Sequence, residues 1–267
     1  IGVIFYGLKN LNFTKAASIN PYYIFLLVAV ILTYYFSALF IGRWLKLKKE
    51  ITYLTATGSA ICGASAITIT APAIGADSED ISISLLSVFV VAIFGLFFVL
   101  PFLAVSFGLN NEIFALLSGA IVQFTGFVKV SVNTIPPLET LLPAGEVMNF
   151  ALSIKAFRYL GLIVAIPLFA SLAKGRIFLP WYLWAFLFAG FLGTFLSARE
   201  VSFYSEKMLP LLKPTYNIVW SVALVLIGMN TNVAKLLSNS GLKSMMVAFF
   251  SFFSALLVFF IGINIIS

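Results

Sequence analysis

No charged side chain interrupts residues 51–76, and none interrupts residues 81–111. Stretches of that length leave the chain one environment. A bilayer hydrocarbon core about 30 Å thick takes roughly 20 residues of α-helix. Runs of this kind recur along the sequence: a partial helix over 1–17, then 21–42, 51–74, 81–107, 112–133, 148–173, 180–198, 212–233 and 241–266. Only 9% of the residues are charged, against about 25% in a soluble domain. A transmembrane barrel would instead alternate in segments of about ten residues. The expected fold class is an all-α polytopic membrane protein, with residues 1–267 forming a single transmembrane domain. The opening IGVIFYGLKNL reads as the end of a helix already under way, so further N-terminal helices are expected to be missing from this chain.

Lys and Arg set the expected orientation. If every run crosses once, the 43–50 loop (Arg43, Lys46, Lys48, Lys49), the uncharged 108–111 turn, the 174–179 loop (Lys174, Arg176) and the 234–243 loop (Lys235, Lys243) share one side. Asp77, Glu79, Asp80, Glu139, Glu146, Glu200 and Glu206 fall on the other. This predicts a multi-pass protein of the cell (inner) membrane, with 43–50 cytoplasmic and the C-terminus outside. The net charge of +7 is spread along loops, which argues for topology and against nucleic acid. Prolines inside spans, Pro101 and Pro167, are expected to kink them.

Four segments break the apolar texture. TATGSAICGASAITITAP, from Thr55 to Pro72, gathers hydroxyls, alanines, two glycines and the single cysteine. Irregular backbone survives in hydrocarbon only where protein or a water-filled cavity surrounds it. Gly58 and Gly63 each cost a helix about 1 kcal/mol relative to alanine. Two readings stay open: close packing through small-xxx-small pairs such as Gly58/Cys62 and Ser59/Gly63, or a discontinuous helix whose freed N–H groups hold an anion. DSED, residues 77–80, reads as a solvated loop. In ALSIKAFRYLGLIVAIPL, Lys155 and Arg158 share a helix face, and Arg158 lies about 15 Å into the span. A charge at that depth needs a polar interior and a partner; for Lys155, snorkelling to the interface is the alternative. LLSGAIVQFTGFVKVSVN repeats the small, polar texture as a second candidate irregular span. Gln123 there requires a hydrogen-bond partner, and Lys129 is near enough to the helix end to snorkel. LIGMNTN, residues 226–232, ends its span in polar groups, and would be the counterpart of 51–74 if the fold has two inverted halves of five helices.

All nine carboxylates fall in loops or at helix ends, so the deep charges are cationic only. Sodium and proton carriers usually keep a carboxylate in the membrane; an interior of Lys, Arg and helix N-termini suits an anion. Histidine is absent, which removes the commonest general base and metal ligand, and Cys62 has no partner in the chain for a disulfide. No metal or other cofactor is expected. An intramembrane transferase would need clustered acids or a histidine, which makes an enzyme a poor fit. A membrane scaffold would lack a cavity near residue 60.

GSAICGASAITITAPAI resembles the signature of the YeiH-type sulfate exporter family, which carries a segment close to GTSICGASAI. SIKAFRYLGLIVAIPL resembles that family's later K-x-x-R helix, PWYLWAF the start of the following one, and LIGMNTNVAKLLSNSGLKSM its final helical pair. The resemblance implies inverted repeats of about five transmembrane helices with discontinuous helices crossing at the midplane, akin to sodium/proton antiporters and bile-acid symporters. It implies a site at Thr57, Gly58, Ser59, Cys62, Gly63, Ser65 and Ala66, with Gln123 nearby and Lys155 and Arg158 as the basic pair. Relatives of that family carry GASIHE where this chain has GAIVQF, so a proton-linked role for the His–Glu pair does not carry over. Related folds form homodimers. The expected function is secondary transport of a small anion (sulfate, sulfite or organosulfur) by alternating access; the alternative is a cation-coupled carrier, sodium or proton, of another solute.

Overall fold

The computed structural model describes residues 8, 19–135, 141–175, 180–199, 209–229, 234 and 237–266. The expected partial helix over 1–17 lies outside them apart from Leu8, as do Glu139, Arg176, Glu200, Glu206 and Lys235. The described residues are helical, with no strand among them. In chain order the helices are α1 (Pro21–Trp44), α2 (Lys49–Ala60), α3 (Ala64–Ile74), α4 (Ser78–Phe94), α5 (Leu100–Ser106), α6 (Asn111–Ile121), α7 (Thr125–Thr134), α8 (Ala144–Tyr159), α9 (Gly161–Lys174), α10 (Trp181–Ala198), α11 (Leu209–Met229) and α12 (Asn239–Ile266). Four stretches are long and apolar enough to cross a membrane: Pro21–Trp44, Ser78–Ser106, Gly145–Lys174 and Asn239–Ile265. The second is continuous through a π-turn at Gly95–Val99, where the Leu100 N–H reaches back to Gly95 O. This wider turn sits directly ahead of Pro101, whose ring cannot extend the ordinary hydrogen-bond ladder.

The run 51–74 does not cross. Lys48, at the start of α2, donates from Nζ to Asp80 Oδ2 at 2.7 Å and to Asp77 Oδ2 at 3.2 Å, at the start of α4. In a straight helix Gly58 and Ile67 would be about 13 Å apart; here Gly58 packs against the Ile67 side chain. α2 and α3 are therefore antiparallel arms of a hairpin that enters and leaves at one end of the molecule. Their 12 and 11 residues reach only about halfway through a bilayer core.

The run 112–133 folds back in the same way from the opposite end. Asn111 Nδ2 donates to Leu142 O at 2.7 Å, while Asn111 Oδ1 accepts from Leu141 N at 2.8 Å and Leu142 N at 2.9 Å. A straight rod from Asn111 to Thr134 would be about 35 Å long. The residues from Thr134 to Leu142 can return under about 29 Å even when fully extended. α7 accordingly packs on α6 and α8.

The crossing helices share this polarity. α1 begins beside α6, with Tyr23 OH on Glu112 Oε1 at 3.0 Å. α9 ends beside α2, with Lys49 Nζ on Ala173 O at 3.5 Å. α12 starts at that same end, where Ser244 Oγ meets Thr55 Oγ1 at 3.0 Å, and rises to stack Phe260 on Phe107. The expectation that 75–80 lies opposite 43–50 is thus corrected, as is the placement of 108–111 beside 43–50. Two hairpins, one from each end, cancel in the count of crossings, which is why the remaining charge alternation survives.

DSED is not a free loop. Asp77 caps α4 and accepts from Asp80 N at 2.8 Å, Asp80 accepts from Asp77 N at 3.2 Å in return, and Asp80 is buried. The Asp80 amide, then Lys48, hold the Asp77 carboxyl below the ordinary aspartate range, and Asp80 and Asp77 raise the Lys48 ammonium.

In a cysteine-free background (Cys62→Ser), cysteines at Lys46 and Ala76 should react with a membrane-impermeant thiol reagent from the same face, and one at Asn110 from the other. Labelling of position 76 from the face opposite 46 would refute the first hairpin. Because the Asp77 pKa is lowered on folding, its contribution is complete above about pH 4 and is lost as pH falls through the folded value. The Tm difference between the protein and Asp77→Asn should therefore close in acid.

Candidate functional site

The two hairpin tips meet at the middle of the α8–α9 span. Each tip brings together the C-terminus of one arm and the N-terminus of the next, so four helix ends converge. The C-terminal ends carry partial negative charge and unpaired carbonyls; the N-terminal ends carry partial positive charge and unpaired N–H groups.

The carbonyl ends are met by the basic pair. Lys155 Nζ donates to Ile61 O at 2.7 Å, Val122 O at 2.6 Å and Gln123 O at 2.7 Å. Arg158 donates from Nε to Ala60 O at 2.8 Å, from Nη2 to Ser59 O at 2.8 Å, and from Nη1 to Val122 O at 2.8 Å and Gly119 O at 3.3 Å. Both side chains are completely buried. Lys155 has three N–H donors and all are used; Arg158 has five and uses four. Snorkelling is excluded for both. The Arg158 guanidinium also lies 5.6 Å from the centre of the Tyr34 ring, and Tyr34 OH donates to Ile121 O at 2.9 Å.

The N-terminal ends of α3 and α7 carry no compensating side chain. α2, α4, α6 and α8 each open with a carboxylate in the first turn: Glu50, Glu79 with Asp80, Glu112 and Glu146. α3 and α7 open with none, and neither has a side-chain cap. Close by are buried polar groups without a hydrogen-bond partner among the described residues: Ser59 Oγ, Tyr35 OH, and both Oε1 and Nε2 of Gln123. Native proteins seldom leave such groups unpaired unless water or a ligand meets them.

Of the other residues singled out in the sequence, Thr57 is buried and turns its hydroxyl onto Tyr53 O at 2.7 Å, so it serves the α2 backbone. Gly58 is the contact between hairpin arms. Cys62 and Ala66 are buried at the tip, and Ser65, in the first turn of α3, is half-buried. Gly63 has φ +67°, and an added Cβ would lie 2.6 Å from Phe124; the Phe124 ring of one tip rests on the glycine of the other. Lys129 is exposed on α7. Residues 230–232 lie outside the described residues, and α11 is one uninterrupted helix. Among the described residues, the runs that fold back on themselves are 51–74 and 112–133.

Sequence reasoning missed Tyr34, the seat of Phe124 on Gly63 and the close approach at Gly119. An added Cβ on Gly119 would lie 2.6 Å from Ala151 O and 2.8 Å from Ile154 Cβ, so only glycine brings α6 this close to α8. The Gly119 signal was present in Ser-Gly-Ala opposite Ala151 and Ile154, but becomes readable only once those helices are paired. No group of His, Cys, Asp and Glu among the described residues could hold a metal ion.

This geometry defines an integral membrane protein organised around two opposed helical hairpins locked by a buried basic pair. The chain belongs to the family described as conserved hypothetical protein 698, whose model matches residues 1–248. A UPF0324 membrane protein of Archaeoglobus fulgidus is 27% identical over 252 residues, covering 93% of this chain and 70% of that protein. One of Streptococcus mutans is 27% identical over 252 residues, covering 87% and 70%, and one of Fusobacterium nucleatum 25% over 269 residues, covering 93% and 76%. No solved structure matches the chain.

Gly119→Ala should destabilise the purified protein by about 1–3 kcal/mol through overpacking, read as a fall in Tm. Arg158→Lys keeps the charge but loses the planar fork, and should lower Tm further by stranding carbonyls at about 1–3 kcal/mol each. A Tm unchanged in Arg158→Lys would contradict the locking role.

Proposed function

We propose that this protein is a secondary transporter of a small anion, working by alternating access around the two hairpin tips. The observation that carries the reading is the asymmetry of the four helix ends. The negative ends are neutralised by Lys155 and Arg158, whereas the positive ends of α3 and α7 have neither cap nor carboxylate. An anion is the complement of two such N-termini. Its ligands would be the free N–H groups of the first turns of α3 and α7, with Ser65, Ser59 and the Gln123 amide; Thr57, Gly58, Cys62 and Gly63 shape the tip. Lys155 and Arg158 belong to the site as the groups that hold both tips in place, and they add positive potential without direct contact. The resemblance noted above favours a sulfur oxyanion.

The units 49–106 and 111–174, each a hairpin followed by a crossing, would be the inverted repeats. The end bearing Arg43, Lys46, Lys48, Lys49, Lys174 and Lys243 would face the cytoplasm, leaving the end of α12 outside the cell membrane. A homodimer fits the related folds.

The test is uptake of labelled sulfate and sulfite by proteoliposomes. Ser65→Asp places a carboxylate in the first turn of α3, where it satisfies the helix end itself. Tm should hold or rise while uptake falls roughly tenfold or more, the scale of one lost charge-assisted contact. Unimpaired uptake by this variant would remove the N-termini from the site.

A further inference from the structure

The three acceptors around Lys155 Nζ are all main-chain oxygens, from Ile61 at one tip and Val122 and Gln123 at the other. No carboxylate takes part: the six described ones lie at helix starts near the ends of the molecule. The charge is balanced by two helix C-termini. Carbonyls at unwound helix ends are the donor set with which membrane proteins replace the hydration shell of an alkali cation. We infer that this cage is a monovalent-cation site kept permanently filled by the protein's own ammonium group, a tethered ion in the place of free sodium, potassium or ammonium. The inference goes beyond the anion reading and does not rest on it.

Three consequences follow from the geometry. The tips close without any dissolved cation. Cation binding at the tips is not available as a coupling step, so the sodium-coupled alternative loses its most suitable oxygen cluster. Removing the amine opens a vacancy for a free cation, and neighbouring Arg158, which shares Val122 O with Lys155, disfavours a divalent one.

The experiment uses the purified full chain in detergent, with Tm measured in choline, sodium, potassium and ammonium chloride at equal ionic strength. The unmodified protein should melt identically in all four. Lys155→Ala should melt lower in choline and recover by roughly 3 °C or more in ammonium or an alkali salt. Lys155→Met keeps the apolar stem, stops one atom short of the Nζ position, and should show the same selective recovery if the alanine variant does not fold. The inference is overturned if the unmodified protein is stabilised by one cation over choline. It is equally overturned if both variants melt alike in all four salts, or if neither folds in any of them.

Discussion

Two cations buried among main-chain carbonyls hold this molecule together. Lys155 and Arg158 reach Ser59, Ala60 and Ile61 on one hairpin and Gly119, Val122 and Gln123 on the other. A short re-entrant arm ends in hydrocarbon with carbonyls that neither water nor its own helix can satisfy. A buried charge on α8 is equally unwelcome by itself. Each problem solves the other, and the hairpins and the basic pair are structurally inseparable. The close approach of α6 to α8 at Gly119, the turn at Gly63 and the Tyr34 ring beneath Arg158 are the packing that brings donor and acceptor within 2.6–3.3 Å.

Charge placement follows from the same arrangement. Helices that begin at the ends of the molecule can use solvated carboxylates to complement their positive ends, as Glu50, Glu79, Glu112 and Glu146 do. Helices that begin at its centre cannot do so without burying an acid. α3 and α7 consequently present bare N-termini in an apolar setting, next to an unpartnered amide and hydroxyl.

The membrane class was legible because apolar length and scarce charge are direct physical requirements of a bilayer. Gly58, Gly63 and the hydroxyl-rich texture left a break in 51–74 as one of two open readings, beside close packing, and the small, polar texture around Gln123 made 112–133 a second candidate. The depth of Arg158 followed from counting residues. The reversal at each break was not legible: two arms of 12 and 11 residues with a short turn have the length of one ordinary span. The pairing of Lys48 with Asp77 and Asp80, the Gly58–Ile67 contact, and the pairing of Asn111 with Leu141 and Leu142 distinguish the two cases. The partners of the basic pair were hidden for another reason. Every residue type carries the same carbonyl, so an acceptor cage made from backbone leaves no mark in the sequence.

Those contacts also impose an order on biosynthesis. The bonds from Lys155 to Ile61 and from Arg158 to Ser59 close 94 and 99 residues of chain, and both donors follow both hairpins in the sequence. When the half-length arms α2, α3, α6 and α7 leave the ribosome, the Tyr34 hydroxyl of α1 can meet Ile121 O, but the donors for Ser59, Ala60, Ile61, Gly119, Val122 and Gln123 have not yet been made. Those carbonyls gain their side-chain donors only when α8 arrives. The centre is therefore completed late in the chain, where a single helix delivers the counter-charges for two segments that entered from opposite ends.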